Sequence, residues 1–558
     1  MTDWRNISEG RLITDDGYAD QPYIVCTDDG AWLCCVTVSG RKEGSSDQHV
    51  ATFRSTDQGL TWEKEVRVEE SDAPENSYAV MLKVPSGRVY IFYTRNSDNV
   101  RSILSHDRTT SYSRVDSLGH YVFRYSDDNG KSWSKECFDI PLRKFRCDLN
   151  NVYGGELCFF WNVGRPFVMD GCAYLPLSKI GELGRGFFQQ SEGALMMSDN
   201  ILTEKDPTRI RWTTLPDGDV GLRTPPGGDT VSEEHTYVTL SDGSICTSYR
   251  SVDGYSVECY SRDGGHTWET PHYKRLSSGP LAKNPRAANF IWKMKDGRYL
   301  YWFHNNGGHF IRDLWKNGGK RNPYDGRNPV WLCGGIEVDT PRGKEIAWQE
   351  PHIFLYGERQ RYGISYPDFW EEDGRFFVSE TQKTTARVHE VPREFIDGLF
   401  TEPKGTLLTE GRGGEHCPMP KLPCFSRLAP DAPPPVVRLS FELSSSAPGR
   451  WLNALDANGL GFEVALTDDR RMLFRWNEPE RRLAMDSQVL PQNIHSAEIV
   501  LDFGPCVAYF RCNGAFCDGG EERRYGWLFF DPNMQFLDWV PTVDIDDKVA
   551  KFCIMQIG

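Results

Sequence analysis

No stretch of 18 consecutive apolar residues occurs in the 558-residue chain, so nothing in it reads as a membrane-spanning helix. Basic runs are missing too: 64 Lys and Arg against 79 Asp and Glu give a formal charge of -15, whereas a protein that neutralises phosphates needs a basic face. Neither nucleic acid nor membrane is an expected partner, and the acidic excess serves solubility. The opening "MTDWRNISEGRLITDDGYADQPYIV" lacks a basic segment followed by an apolar one. There are 16 cysteines but no CxxC pair and no metal-ligand spacing; they lie in apolar runs such as "WLCCV", "ELCFF" and "KFCIM" and read as buried reduced thiols. The expected location is the cytoplasm, with an exported chain that has lost its leader as the alternative. No glycine-rich phosphate loop or ligand cluster is present, so no cofactor and no metal are expected.

What is abundant is apolar and aromatic surface, 39% and 13% of the residues, enough to bury more than one core in a chain of this length. One pattern punctuates the first 400 residues. "STDQGLTW" (Ser55 to Trp62), "SDDNGKSW" (Ser126 to Trp133) and "SRDGGHTW" (Ser261 to Trp268) all read S-x-D-x-G-x-[TS]-W, and each follows an alternating strand. Physically this is a hairpin turn: the Asp caps backbone N–H groups, the Gly takes positive φ, and the Trp packs back over the turn. Asp57 and Asp128 are 71 residues apart and Asp128 and Asp263 are 135 apart, so a degenerate copy is expected between them, at Asp199 in "MSDNILTEKDPTRIRW". A four-stranded sheet recurring at this interval predicts an all-β chain with a six-bladed β-propeller over residues 1–400, the Asp-turn tryptophans lying on the face away from the site. "VPREFIDGLF" predicts a short helix. A proline-rich linker is expected over 401–433, followed by an antiparallel β-sandwich over 434–558. Its stretch "AEIVLDFGPCVAYFRCNGAFCDGG" resembles strands of a laminin-G or concanavalin-like jelly roll, and its expected role is packing on the propeller, with glycan binding as the alternative.

The three turns resemble the Asp-boxes of the sialidase superfamily, and the resemblance extends over about residues 15–400. Sialidases carry a Glu at the start of an inner strand, an L-x-D-G turn, and an arginine on the return strand. "VSEEHTYVTLSDGSICTSYR" supplies Glu234, Leu240 to Gly243, and Arg250 in that order. By the same resemblance "YDGRNPVWLCGG" places a second arginine at Arg327, and "ISYPDFWEEDGRFFVSETQ" places the nucleophilic tyrosine at Tyr366 with Glu380 near its end. "GSSDQHVATFRS" offers Asp47 as the acid, with His49 as a rival. One landmark is missing: where the family has Y-R-I-P this chain reads "YADQPYIV", with Asp20 and Gln21 before Pro22. Since three arginines grip a sialic acid carboxylate, Asp20 puts a like charge into that grip.

The resemblance implies that Glu234 is the base for Tyr366, because a free phenol with a pKa of about 10 needs one in hydrogen-bond reach. A structural alternative pairs Glu234 with Arg250, and Glu233 either faces solvent or fixes an arginine. His49, His235, His304 and His309 fall in strand-mouth segments and are candidate acids, bases or substrate contacts; Arg286 and Arg312 are candidates to hold an acidic sugar beside Arg250 and Arg327. The expected function is an exo-acting glycoside hydrolase that removes a terminal sugar from an acidic oligosaccharide or polysaccharide. Two rivals stand beside it: a polysaccharide lyase on the same fold, using Tyr366 and a histidine, and a non-catalytic glycan-binding propeller.

Overall fold

The computed structural model describes residues 3–557 apart from 115, 185–186, 319–323, 360–362, 402–403, 419–433, 535 and 537–541. Alternating apolar sequence becomes antiparallel strand almost throughout, and the strands up to Val391 sort into six sheets of four or five, with one two-stranded hairpin, Ile103–Leu104 with Ser111–Tyr112, beside them. Each sheet, or blade, opens on a first strand that is largely buried: Tyr18–Cys26 (I), Asn76–Lys83 (II), Phe159–Trp161 (III), Ser232–Thr239 (IV), Phe290–Lys293 (V) and Ser365–Glu372 (VI). Blade VI takes its outermost strand from the other end of the chain, Arg11–Thr14 pairing with Ala386–Val391.

Hydrogen bonds link the blades in a closed ring. Tyr78 N–H donates to Thr37 Oγ1, Asn162 Nδ2–H to the Tyr78 carbonyl, Glu234 N–H to Ser178 Oγ and Ile291 N–H to Thr236 Oγ1. His304 Nε2 meets the Ile364 carbonyl, and Ile24 N–H donates to Asp368 Oδ2, which joins blade VI back to blade I. Arg165 crosses the axis to Asp368, 2.7 Å away.

Register fixes which end is which. In blade I, Asp20 lies opposite Thr37 and Thr37 opposite Val50, whereas Cys26, Trp32 and Ser55 line up at the far end. The Asp-turns therefore sit on the face opposite the first residues of the inner strands. Their geometry is as the motif predicts: Asp57 Oδ1 accepts from Ser55 Oγ and from Thr61 N–H, Gly59 N–H donates to Ser55 Oγ, and Gly59 has φ 81. Asp128 and Asp263 repeat the same bonds. The degenerate copy is present but shifted by one residue from the expected Asp199. Asn200 takes the capping place, accepting from Arg211 N–H at 2.9 Å, while Asp199 pairs with the Arg211 guanidinium.

The second unit is a sandwich of two antiparallel sheets around Phe441, Trp451, Phe462, Phe474, Trp476 and Phe510. Its boundary differs from the sequence expectation. Gly405–Gly411 pairs with Val549–Ile557 and His416–Pro418 with Thr542–Ile545, so two strands of the stretch read as linker are edge strands of the sandwich. The proline-rich remainder, 419–433, lies outside the described residues. "REFIDG" (Arg393–Gly398) is the predicted short helix. Trp331, Tyr301 and Trp348 of blade V share one apolar cluster with Val507, Tyr509, Phe516 and Trp527 of the sandwich, which packs the two units together. Among the described residues no helix is long and apolar enough to cross a membrane.

Candidate active site

Four inner strands break register within their first residues, between Asp20 and Tyr23, Ser77 and Val80, Glu233 and Thr236, and Ser365 and Asp368. Each break is a bulge with one non-glycine residue at positive φ: Gln21 (58°), Tyr78 (57°), Glu234 (58°) and Tyr366 (49°). A bulge re-aims side chains, and holding such a residue left-handed costs about 1–3 kcal/mol unless its surroundings over-determine it. All four bulges lie on the same mouth of the ring, the end remote from the Asp-turns.

At this mouth Tyr366 Oη donates to Glu234 Oε1 at 2.7 Å, both side chains being buried. Arg250 Nη1 lies 2.8 Å from Glu234 Oε2 and its Nε 2.9 Å from Glu233 Oε2, so the expected base pair and the alternative ion pair are both present. Arg286 also grips Glu233, through Nε at 3.1 Å and through Nη2. Glu233 is thus the residue that fixes two arginines. Burial works against its charge, but Arg286 and Arg250 hold its carboxyl below the usual range. For Glu234 burial prevails and raises the carboxyl, Arg250 opposing and Glu233 adding to the effect. Burial and the Glu234 charge likewise push the Tyr366 phenol up, while Lys383 and Arg250 pull it down. Arg327 Nη1 donates to Ser365 Oγ and its Nη2 to the Arg286 carbonyl, both at 2.9 Å. Trp315, on the helix His309–Lys316, stacks 4.7 Å from Arg286, and Tyr324 lies 5.4 and 5.5 Å from Arg286 and Arg327.

Opposite this group the mouth holds Asp20 and Gln21, which the sequence singled out, together with Lys383, Glu43, Arg114 and Asp116, which it did not. Asp20 is fully buried and binds Lys383 Nζ (2.5 Å) and Tyr18 Oη (2.8 Å). Lys383, itself at φ 74, lies 4.5 Å over the Tyr366 ring and 3.4 Å from Glu43. Arg114 bridges Glu43 (3.0 Å) and Asp116 (2.8 Å), and Asp116 accepts from Tyr78 Oη. Against the opposing effect of burial, Arg114 and Lys383 bring Glu43 down to about 2. Gln21 is buried at its bulge beside Asp20.

Seven of the residues that the sequence named make their contacts elsewhere. Asp47 is exposed and caps its own loop, accepting from Ser39 Oγ and Gly40 N–H; Glu43 is the carboxylate of that loop which reaches the mouth. His49, on the third strand of blade I, pairs with Glu65. His235 alternates to the other side of the strand from the Glu234 bulge, stacks at 4.1 Å on Tyr249 and meets Ser232 Oγ; burial lowers it to about 3. His304 braces the Ile364 carbonyl two residues before Tyr366, and burial lowers it, too, to about 3. Arg312 turns to the Gly227 carbonyl, His309 is exposed at the start of its helix near Glu521, and Glu380 pairs with His389. Among the described residues no three His, Cys, Asp or Glu side chains are arranged to hold a metal ion.

Comparisons with known proteins bear on this geometry. The family profile "BNR/Asp-box repeat" matches residues 124–135, the second Asp-turn. A sialidase of Paraclostridium sordellii is 24% identical over 272 residues, 46% of this chain and 59% of that protein. A sialidase of Clostridium perfringens is 24% identical over 265 residues, 46% of this chain and 62% of that one. The chain thus spans about three fifths of the length of these curated relatives. Among solved structures, that of Trypanosoma rangeli sialidase aligns over 97% of this chain and 91% of that one, at 11% identity and a TM-score of 0.44. With its Asp-box turns, its likeness to two bacterial sialidases and its all-β blades, the chain is similar to the sialidase superfamily.

Proposed function

We propose that this chain is an exo-acting glycoside hydrolase that removes a terminal sugar from an acidic glycan, with Tyr366 as nucleophile and Glu234 as its base. The observation that carries this reading is the 2.7 Å hydrogen bond from Tyr366 Oη to Glu234 Oε1 in a buried mouth lined by Arg250, Arg286, Arg327 and Lys383. As the phenol oxygen attacks the anomeric carbon, its proton passes to Glu234, whose raised carboxyl is suited to accept it, while the glycosidic bond breaks and the leaving oxygen takes a proton from solvent; water then attacks the glycosyl–tyrosine, releasing the sugar and a proton to solvent, and Glu234 returns its proton to the phenol oxygen. A tyrosine serves here because a carboxylate nucleophile is repelled by an acidic sugar. Glu43 is the carboxylate placed on the opposite side of the mouth, held by Arg114 and Lys383. Hydrolysis is favoured over elimination because the lyase reading calls for a histidine beside Tyr366, and His235 and His304 face other partners.

Lys383 stands beside the position where the family resemblance calls for an arginine and where this chain has Asp20. A lysine offers a point charge in place of a bidentate fork. Ordinary sialosides are therefore expected to be poor substrates, and uronic-acid-ended oligosaccharides better ones. The test is a panel of oligo-uronides and sialyllactose, read for released monosaccharide and for ultraviolet absorbance of an unsaturated product. Released sugar without absorbance supports hydrolysis; absorbance assigns a lyase; efficient sialyllactose turnover overturns the specificity argument.

A further inference from the structure

The sandwich reaches the catalytic face of the propeller at one segment, 518–527, which lies against blades IV and V. Lys283, three residues before Arg286, donates from Nζ to the carbonyls of Asp518 (2.9 Å), Gly520 and Arg523 (2.9 Å). Tyr255 Oη donates to the Glu521 carboxylate, Gly307 N–H to the Arg524 carbonyl, and Trp527 Nε1–H to the Asn305 carbonyl. Apolar packing of Trp331 against Tyr509 and Trp527 already joins the two units. These polar links are directional, and the most specific of them converge on one short stretch of backbone.

That stretch is Asp325–Gly326, immediately before Arg327. Arg524 of the sandwich donates Nη2–H to the Asp325 carbonyl at 2.8 Å and Nε–H to Asn306 Oδ1 at 3.2 Å. Asn306 passes the link on, donating Nδ2–H to the Gly326 carbonyl at 2.7 Å and to the His304 carbonyl at 2.9 Å. Gly326 has φ 83, and a Cβ there would stand 2.8 Å from Asn306 Oδ1 and 2.9 Å from Tyr525 Oη, so the sandwich closes tightly over this residue. A charge-assisted bond to a carbonyl fixes both distance and direction. Beyond it Arg327 runs to Ser365 Oγ and the Arg286 carbonyl, next to Tyr366 in the chain.

We infer that the β-sandwich is a working part of the glycan site: Arg524 is a positioning residue that, through Asn306 and the Asp325–Gly326 backbone, sets the Arg327 guanidinium beside Tyr366. The inference rests on the reading of Arg327 as a group that holds the substrate. In the full-length chain, Arg524→Ala is expected to lower kcat/KM on the oligo-uronide that the panel identifies by between about 10- and 100-fold, chiefly through KM, since displacing a binding group by about an ångström has effects of that size. Arg524→Lys, which keeps the charge but loses the fork, recovers part of the loss. In an Arg327→Ala background the Arg524→Ala change adds nothing further, because both act through one guanidinium. Losses that multiply in the double variant overturn the inference. If the parent turns over no acidic glycan, the reading of the site fails, yet the positioning role is still decided by amide hydrogen exchange. Peptides covering 324–328 exchange faster in Arg524→Ala while those covering Ser232–Thr239 do not; unchanged exchange at 324–328 overturns it. Should Arg524→Ala fail to fold, Asn306→Ala cuts the same link from the propeller side and is read in the same way.

Discussion

At the scale of single residues, the site is a pair of strained carriers bonded to each other: Glu234 and Tyr366 both sit at positive φ and share the 2.7 Å hydrogen bond. Tyr366→Phe removes one hydroxyl and is expected to lower kcat by roughly 10³-fold or more while the melting temperature stays close to that of the parent. Glu234→Gln cripples turnover similarly, since an amide cannot take the proton. The double variant is expected to be little worse than either single one; near-normal rates in both singles would remove the pair from the mechanism. The buried histidines make a second prediction. His235 and His304 are each lowered to about 3 by burial, whereas in the unfolded chain a histidine titrates near 6.5. The unfolded state then binds more protons below about pH 6.5, so this part of the stability is full above that pH and is lost as pH falls toward 3. The slope is up to about 1.4 kcal/mol per pH unit for each histidine. Urea midpoints of the parent and of His235→Phe between pH 7 and 4 should diverge by such a slope; parallel curves would mean that His235 is not held neutral.

Between elements, the blades are joined by buried polar links that only work in pairs. Glu258, on the third strand of blade IV, accepts from Trp348 Nε1 at 2.7 Å across the gap to blade V and pairs with Lys274. Lys274 is fully buried, 4.6 and 4.2 Å from the rings of Tyr301 and Trp348. Burial opposes ionisation, and Lys274 then brings the Glu258 carboxyl down to about 2. Lys274→Met strands that carboxylate and is expected to cost about 3–5 kcal/mol, whereas Lys274→Met with Glu258→Gln recovers much of it. Thermal unfolding of the two variants checks this; equal losses would show that packing, and not the unpaired charge, dominates. The bulges act at the same scale. One extra residue at the head of four inner strands turns ordinary blade sequence into a ring of presented side chains.

For the whole molecule, closure is what holds the parts in place. Arg11–Thr14 completes blade VI, and Arg5 binds Asp502 of the sandwich at 2.6 Å, so the start of the chain ties the ring and the second unit together. The sandwich in turn needs Gly405–Gly411 and His416–Pro418 as edge strands. A fragment of 434–558 leaves the edges of Val549–Ile557 and Thr542–Ile545 open and is expected to self-associate more than a fragment of 404–558. Size-exclusion chromatography at matched concentrations decides this, and equal behaviour would mean that the two strands are dispensable.

The sequence by itself determined what neighbouring residues determine. Period-two alternation and the Asp, Gly and Trp of the turns give the strands, the hairpins and the face they occupy, since these depend on side-chain alternation and local turn chemistry. The order Glu234, Leu240 to Gly243, Arg250 and the distant Tyr366 were legible through the family resemblance. Only the tertiary structure decided which carboxylate of the Ser39–His49 loop meets the mouth, because Glu43 and Asp47 are equivalent by composition and differ in what the closed ring brings to them. It also decided that Asp20 is answered by Lys383, 363 residues away, and that His235 stacks in the core on Tyr249 while Glu234 meets Tyr366 at the mouth. A bulge inverts the alternation that strand reading relies on, and ring closure supplies partners that no local pattern encodes.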